Sequence, residues 1–390
     1  MRVADNSLCP RSQHSSHLLR ITGTLMSLSL GVTSLAACSF ITSNPSTAST
    51  PSASSLSTGE AKNVELGEYF SHSGVAPLPT NSGPLSMYDT HNDQTTLVKH
   101  NTEGGIVWST TITPSVADML LGKTTTPQMA AEGQLLESTS GYAVVSPDGR
   151  HASLLLRPAD MLDPYEAREE NRDFTVADQR AYVLVIETET GRTVRTEEVK
   201  GLILGQVLTN HTLAVETSQA YYPSGNGHGT ITTYPLAKPT AKAATIPTDK
   251  WLVGATQDSL LLAPSNMSQG HFGAQPLTRL SESGHVVGTV TGVTDVYRGG
   301  WVGRVKDGTD STDQSTPTEL VHLDSGVTTD VAGLKVEEVA LPTAAGLLVS
   351  RETTTGEGQN SKTTSTPQFW LSAADDGHPH TENLEQFSTK

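Results

Sequence analysis

The residue whose chemistry is easiest to assign in this sequence is Cys38, which ends the run Leu35-Ala36-Ala37-Cys38. A thiolate is a nucleophile, so the side chain of Cys38 could be modified covalently. The small residues before it suit a peptidase that must approach the backbone closely. The only other cysteine is Cys9, so the body of the chain has no thiol for a disulfide framework or a cysteine metal site. Cys38 is therefore a candidate site of covalent modification.

The segment before Cys38 supports this chemistry. Three arginines, Arg2, Arg11 and Arg20, come before an uncharged, leucine-rich stretch. This stretch, residues 21–37, has the length of a signal-peptide core. Together with the run that ends at Cys38, this segment resembles the lipobox region of bacterial lipoproteins. The resemblance implies that residues 1–37 are a signal peptide and that acylated Cys38 anchors the protein to the extracytoplasmic face of the cell membrane. An ordinary secretory signal with an incidental Cys38 is the alternative.

The composition after Cys38 restricts the possible partners. Residues 38–60 are rich in Ser, Thr and Pro with almost no charge, which predicts an extended, flexible linker before a folded domain at 61–390. The formal net charge is −16, and no long Lys/Arg run is present. Because phosphate neutralisation supplies most of the affinity for nucleic acid, this balance argues against a nucleic-acid partner. It also argues against electrostatic docking on anionic lipid headgroups.

Three groups of residues could ligate a metal ion, and each is better explained without one. An acidic stretch in a predicted helical insert at 158–177 lacks a glycine-punctuated ligand loop, so a solvated helix face explains it better. A cluster near the C-terminus is better explained as a turn, and a cluster around residue 91 is weaker still. The groups are Asp160, Asp163, Glu166, Glu169, Glu170 and Asp173; Asp375, Asp376, His378 and His380; and His91, Asp93 and His100. The sequence thus predicts no metal site, no cofactor and no catalytic residue.

The elements that must position any site are short strands. Apolar and β-branched runs alternate with Gly, Asp, Asn and Ser turns from about residue 62 onward. Turns at residues 105, 191, 238, 284, 326 and 377 are separated by 86, 47, 46, 42 and 51 residues. Second hairpins between them are predicted at 141–156, 206–215 and 251–262. A period in the forties with four strands per unit predicts an all-β fold, a β-propeller of four-stranded antiparallel blades.

Two short sequence motifs resemble those of known repeat families. Residues 142–149, Tyr-Ala-Val-Val-Ser-Pro-Asp-Gly, resemble the inner-strand phrase of many propeller repeats, including WD40-like ones. Residues 104–108, Gly-Gly-Ile-Val-Trp, are similar to the outer hairpin of quinoprotein-like repeats, which implies that Trp108 docks between blades. Seven blades are favoured within a range of six to eight, because the interval of 86 could hide a blade or an insertion. Two β-sandwiches are the alternative fold.

The loops suggest recognition more than chemistry. The predicted helical insert interrupts one blade between its second and third strands, where inserts lie on a propeller's binding rim. Residues 218–229 combine Tyr221 and Tyr222 with a Gly-rich run, which suits an adaptable recognition loop or a plain connection, and residues 309–318 form a polar loop tip. We expect a binding or scaffolding module for a protein or other cell-envelope partner. An extracellular enzyme, either a quinone-dependent dehydrogenase or a metal-assisted lactonase or lyase, is the alternative.

Overall fold

A computed structural model describes residues 77–89, 95–112, 131–135, 143–158, 180–218, 229–267, 273–306, 315–340, 345–356, 361–372 and 377–387. These residues form antiparallel strands that follow one another in chain order within each sheet. The predicted signal peptide, linker, lipidated Cys38, helical insert and Tyr221–Tyr222 loop lie outside the described residues. Within the described part of the chain, no helix is long and apolar enough to span a bilayer.

The strands group into six four-stranded units, which confirms a β-propeller of four-stranded antiparallel blades. Blade 1 contains β1 (Leu78–Thr80), β2 (Gly83–Asp89), β3 (Thr95–His100) and β4 (Ile106–Thr111). In blade 2, β5 (Ala131–Leu135) and β6 (Ala143–Val145) share the inner position and are followed by β7 (His151–Pro158), β8 (Arg180–Glu187) and β9 (Thr193–Lys200). Blade 3 contains β10 (Leu202–Leu208), β11 (Thr212–Ser218), β12 (Gly229–Pro235) and β13 (Ala244–Thr248).

Blade 4 contains β14 (Trp251–Ala255), β15 (Ser259–Ala263), β16 (Gln275–Ser281) and the first part of β17 (Val286–Val296). Blade 5 contains the last part of β17 with β18 (Trp301–Arg304), β19 (Glu319–His322) and β20 (Thr328–Asp330). Blade 6 contains β21 (Lys335–Ala340), β22 (Ala345–Thr355), β23 (Lys362–Ser372) and β24 (Pro379–His380). Six blades are the lower end of the predicted range. The favoured seventh blade is not among the described residues. Of the described strands between the turns at 105 and 191, β4 completes blade 1 and the others belong to blade 2.

Strand β17 joins two blades without an interruption. Its first part pairs with β16 and its last part, from Val293, pairs with β18. Gly292, between the two parts, has a φ of 71°. A Cβ atom at this position would lie 2.7 Å from the carbonyl oxygen of Val305. Glycine therefore allows the strand to bend from one blade into the next.

The core consists of apolar layers between neighbouring blades. In β7 and β8, alternate residues face opposite ways, so Leu154 and Leu184 pack towards blade 1 while Leu155 and Val183 pack towards blade 3. This arrangement explains the continuous apolar run of β8, since both faces of the strand are buried. Similar clusters lie between blades 3 and 4, 4 and 5, and 5 and 6.

Trp108 on β4 lies between blades 1 and 2, which is the position that the resemblance of residues 104–108 to quinoprotein-like repeats implied. Its side chain is 2% exposed, and its indole Nε1 donates a hydrogen bond to the carbonyl oxygen of Thr188 at 3.1 Å. Gly191, in the β8–β9 turn with a φ of 69°, lies against the indole ring. The turn of blade 2 is therefore docked on the outer strand of blade 1.

One face of the propeller carries the turns between first and second strands and those between third and fourth strands, and we call it the tight-turn face. Hydrogen bonds join these turns from blade to blade. The backbone N–H of Asp148 donates to Asn210 Oδ1 at 3.0 Å, and the N–H of Asn210 donates to the carbonyl oxygen of Gln257 at 2.9 Å. The N–H of Gln257 in turn donates to Asp324 Oδ2 at 3.0 Å. These contacts link the turns of blades 2, 3, 4 and 5.

Candidate functional site

The inner strands of blades 2 to 6 line a central channel with a volume of about 310 Å³. Much of its wall is apolar and is contributed by β6, β10 and β14, for example Val144, Val207 and Leu252. Gln206 and Asn266 add amide groups. A concave cavity that combines apolar side chains with convergent polar groups is the usual form of a ligand site, so the channel is the first candidate site.

The charged groups of the channel come from blades 5 and 6. Arg298 follows β17, and its backbone N–H donates to Glu338 Oε1 at 2.7 Å, while its Nε lies 3.4 Å from Glu338 Oε2. Asp295 lies on the same wall. The guanidinium and one carboxylate are therefore already paired, and the site carries one further acidic side chain.

Tyr297 lies between these acidic groups and is largely buried. Burial raises the pKa of its phenol well above the usual value, and the negative charges of Asp295 and Glu338 raise it further. The phenol therefore stays protonated at any physiological pH and can serve as a hydrogen-bond donor. The channel can bind polar or cationic groups through these side chains.

Glu216 on β11 lies behind the channel wall at the seam between blades 3 and 4, and its side chain is fully buried. Its Oε2 accepts a hydrogen bond from the N–H of Leu252 at 2.8 Å, whereas Oε1 has no hydrogen-bond partner among the described residues. Burial raises the pKa of this carboxyl to about 7, although the Leu252 hydrogen bond favours the charged form. Proton binding at Glu216 is therefore coupled to the packing of two blades.

Two buried basic side chains, those of Lys99 and Arg195, donate hydrogen bonds to backbone carbonyl oxygens of neighbouring turns. Lys99 donates from Nζ to the carbonyl oxygens of Ser82, Gly83 and His100 at 2.9, 3.1 and 2.7 Å. Burial lowers the pKa of Lys99 to about 8, and the charge of Glu189 opposes this shift. The lysine thus fastens the β1–β2 turn.

Arg195 on β9 donates to the carbonyl oxygens of Pro235, Lys238 and Ala241 at 2.9, 3.1 and 3.1 Å. It also lies 2.6 Å from Glu197. These bonds cross from blade 2 to the β12–β13 turn of blade 3. Its guanidinium therefore joins two blades.

The residues that the sequence offered as weak metal ligands do not come together in the described part of the chain. The ring of His100 is buried, and its Nδ1 lies 3.3 Å from the carbonyl oxygen of Gly104. His380 stacks on Trp370 with ring centroids 4.7 Å apart and has its Nδ1 3.0 Å from Glu382 Oε1. No group of three His, Cys, Asp or Glu residues among the described residues could hold a metal ion. The remaining candidates lie outside the described residues, except for His378.

The residues of the channel and its wall could not be identified as a site from the sequence. Arg298 and Glu338 are forty residues apart in the chain, and no local pattern connects them. Glu216 did leave a signal, since it is an ionisable residue within the otherwise apolar and hydroxyl-bearing strand β11. A charge inside a strand that is buried on both faces indicates either a paired ion or a shifted pKa.

Comparisons with known proteins add only a likeness in fold. No family model and no curated protein matches the chain. Among solved structures, an oligogalacturonate lyase from Vibrio parahaemolyticus is similar at 9% identity over 68% of this chain and 71% of the lyase, with a TM-score of 0.35. BamB from Moraxella catarrhalis is similar at 10% identity over 78% and 85% of the two chains, with a TM-score of 0.32. The β-propeller domain of the Trilobed protease from Pyrococcus furiosus is similar at 7% identity over 58% and 68%, with a TM-score of 0.34.

Proposed function

We propose that this chain is an extracytoplasmic β-propeller lipoprotein, anchored to the cell membrane through Cys38, that binds or scaffolds a cell-envelope partner. The difference between the two faces of the propeller carries the proposal. On the tight-turn face, hydrogen bonds link the turns of blades 2 to 5 to one another. On the opposite face, which we call the long-connection face, second strands end and third strands begin, and the chain lengths between these ends include residues 159–179, 219–228 and 305–318. Long connections on a rigid scaffold are the usual place for binding residues.

The described part of the long-connection face supports this proposal. The β22–β23 hairpin extends from it as an exposed two-stranded ribbon, formed by residues 351–355 and 362–366. Strand β7 ends on this face at Pro158, where the acidic stretch at 158–177 begins in the sequence. We further propose that the blades are of the quinoprotein-like type, which the position of Trp108 between blades 1 and 2 supports.

Site-specific photo-cross-linking in intact cells tests the proposal. A photoreactive amino acid is placed at Thr353 in the ribbon, at Thr316 on the blade 5 connection, or at Lys238 on the tight-turn face, all exposed positions. We expect a discrete cross-linked envelope component from at least one of the first two positions and none from Lys238. Equal cross-linking from all three positions, or cross-linking from Lys238 alone, would contradict the proposed binding face.

A further inference from the structure

The ribbon formed by residues 351–355 and 362–366 extends beyond the rest of blade 6. Strand β21 pairs with β22 only as far as Lys335 opposite Ser350. Strand β24 pairs with β23 only at Trp370 and Leu371. Beyond these points the two strands pair with each other alone, from Arg351 opposite Thr366 to Thr355 opposite Lys362. Both outer edges of the ribbon are therefore without a neighbouring strand among the described residues.

The core of the protein does not need this ribbon. All ten residues are exposed, and none belongs to a core cluster. A two-stranded ribbon is only marginally stable in water, and a third strand stabilises it. The ribbon is rich in threonine, which favours extended strands. It is therefore well suited to accept one more strand.

The two faces of the ribbon differ in charge. The antiparallel register places Arg351 and Lys362 on one face, together with four threonines, Thr353, Thr355, Thr364 and Thr366. Neither cation has an ion-pair partner in the described part of the chain. On the other face Glu352 lies 3.1 Å from the amine of Lys335. In a chain with a formal net charge of −16, an unpaired cationic face is complementary to an acidic partner.

The two edges of the ribbon also differ. On the β23 side the ribbon is followed directly by Pro367, opposite Ser350, and a proline cannot donate a backbone hydrogen bond to a strand added on that side. Proline and charge are the usual means by which proteins block an edge strand. The edge of β22 from Arg351 to Thr355 contains no proline and is open to strand addition.

We infer that the edge of β22 binds an extended acidic segment of a partner protein by strand addition. Backbone hydrogen bonds to Arg351–Thr355 supply the affinity, and carboxylates at alternate positions of the added strand face Arg351 and Lys362. This inference rests on the proposed function, because it names the kind of partner that the long-connection face takes.

Fluorescence anisotropy on the full folded protein tests the inference with labelled octapeptides. The probe is (Glu-Thr)4, and the controls are (Lys-Thr)4 and a (Glu-Thr)4 peptide N-methylated at alternate residues. We expect the acidic probe to bind about tenfold more tightly than either control. The double variant Arg351→Glu, Lys362→Glu should lose this preference. The matched variant Arg150→Glu, Arg192→Glu reverses two exposed charges on the tight-turn face and should bind as the unmodified protein does.

Each other outcome overturns the inference in a distinct way. Equal binding of the N-methylated peptide would mean that charge alone attracts the probe, without strand pairing. Equal binding of the acidic and basic peptides would exclude an acidic partner. A dimer in sedimentation experiments that the peptide dissociates would mean that the edge pairs with a second copy. If no peptide binds while cross-linking from Thr316 persists, the inference fails and the proposed function stands.

Discussion

Replacing Trp108 with alanine is expected to lower the free energy of unfolding by about 3–5 kcal/mol. The indole is almost fully buried between blades 1 and 2, and truncation leaves a cavity that the two sheets cannot close. It also leaves the carbonyl oxygen of Thr188 without its indole donor. Urea unfolding followed by circular dichroism measures the change.

Two companion variants separate packing from hydrogen bonding. Trp108→Phe keeps most of the ring volume and removes the donor, so we expect a loss of about 1–2 kcal/mol. Gly191→Ala should cost more than Gly326→Ala. Both glycines have a φ near 70°, but a Cβ at Gly191 would lie 3.2 Å from the Trp108 ring, whereas nothing lies within 4 Å of one at Gly326. A change of less than 1 kcal/mol in Trp108→Ala would contradict the docking of blade 2 on this side chain.

Replacing Glu216 with glutamine is expected to stabilise the protein at pH 8 by up to about 3 kcal/mol, with little effect at pH 4.5. The folded state raises the pKa of this carboxyl from 4.5 to about 7, and one pKa unit corresponds to about 1.4 kcal/mol. Between these two values the folded state binds more protons than the unfolded state. Its stability therefore falls as the pH rises through this window, and above pH 7 the ionised carboxyl destabilises the fold by the full amount.

Glutamine does not titrate, so the difference in unfolding free energy between the variant and the parent protein should grow from pH 4.5 to pH 7 and then level off. Other titrating groups cancel in this difference. Glu103→Gln, at an exposed position on the β3–β4 turn, controls for the loss of one negative charge. A difference that does not change with pH would mean that Glu216 is not buried at the seam between blades 3 and 4.

The hairpins could be predicted from the sequence because their turns are local chemistry. Residues 146–149, Ser-Pro-Asp-Gly, connect β6 to β7 as expected, since Asp148 accepts hydrogen bonds from Ser146 and from the N–H of Arg150 within the turn. The predicted turns at 105, 191, 238, 284, 326 and 377 all lie between the third and fourth strands of a blade. Six such turns correspond to six blades.

The blade count was harder to predict than the repeat. The interval of 86 residues between the first two turns contains the connections 113–130 and 159–179, whose lengths no repeat pattern anticipates. Strand β17 hides a blade boundary, because a run rich in Val and Thr continues through it and the bend is marked by Gly292, which has a positive φ. Periodicity indicates the type of unit, whereas insertions and shared strands determine where the units begin.

The candidate sites depend on contacts between distant residues. Arg298 meets Glu338, and Glu216 meets Leu252, only because the blades close around a common axis. The exposed ribbon could not be predicted either. Its threonines indicate that strands are possible, but they do not indicate that the pairing of β21 ends opposite Ser350 and that of β24 opposite Trp370. Local sequence therefore predicts the strands, and the packing of blades creates the channel and the free edge.

The N-terminus of the mature protein tests the central claim most directly. Mass spectrometry of the protein purified from the membrane fraction of the cells that produce it should show a chain that begins at Cys38 and carries a diacylglyceryl group on that thiol. The variant Cys38→Ser should leave the membrane fraction or keep residues 1–37. A mature chain that begins at another residue, or an unmodified thiol at Cys38, would contradict a lipid-anchored propeller.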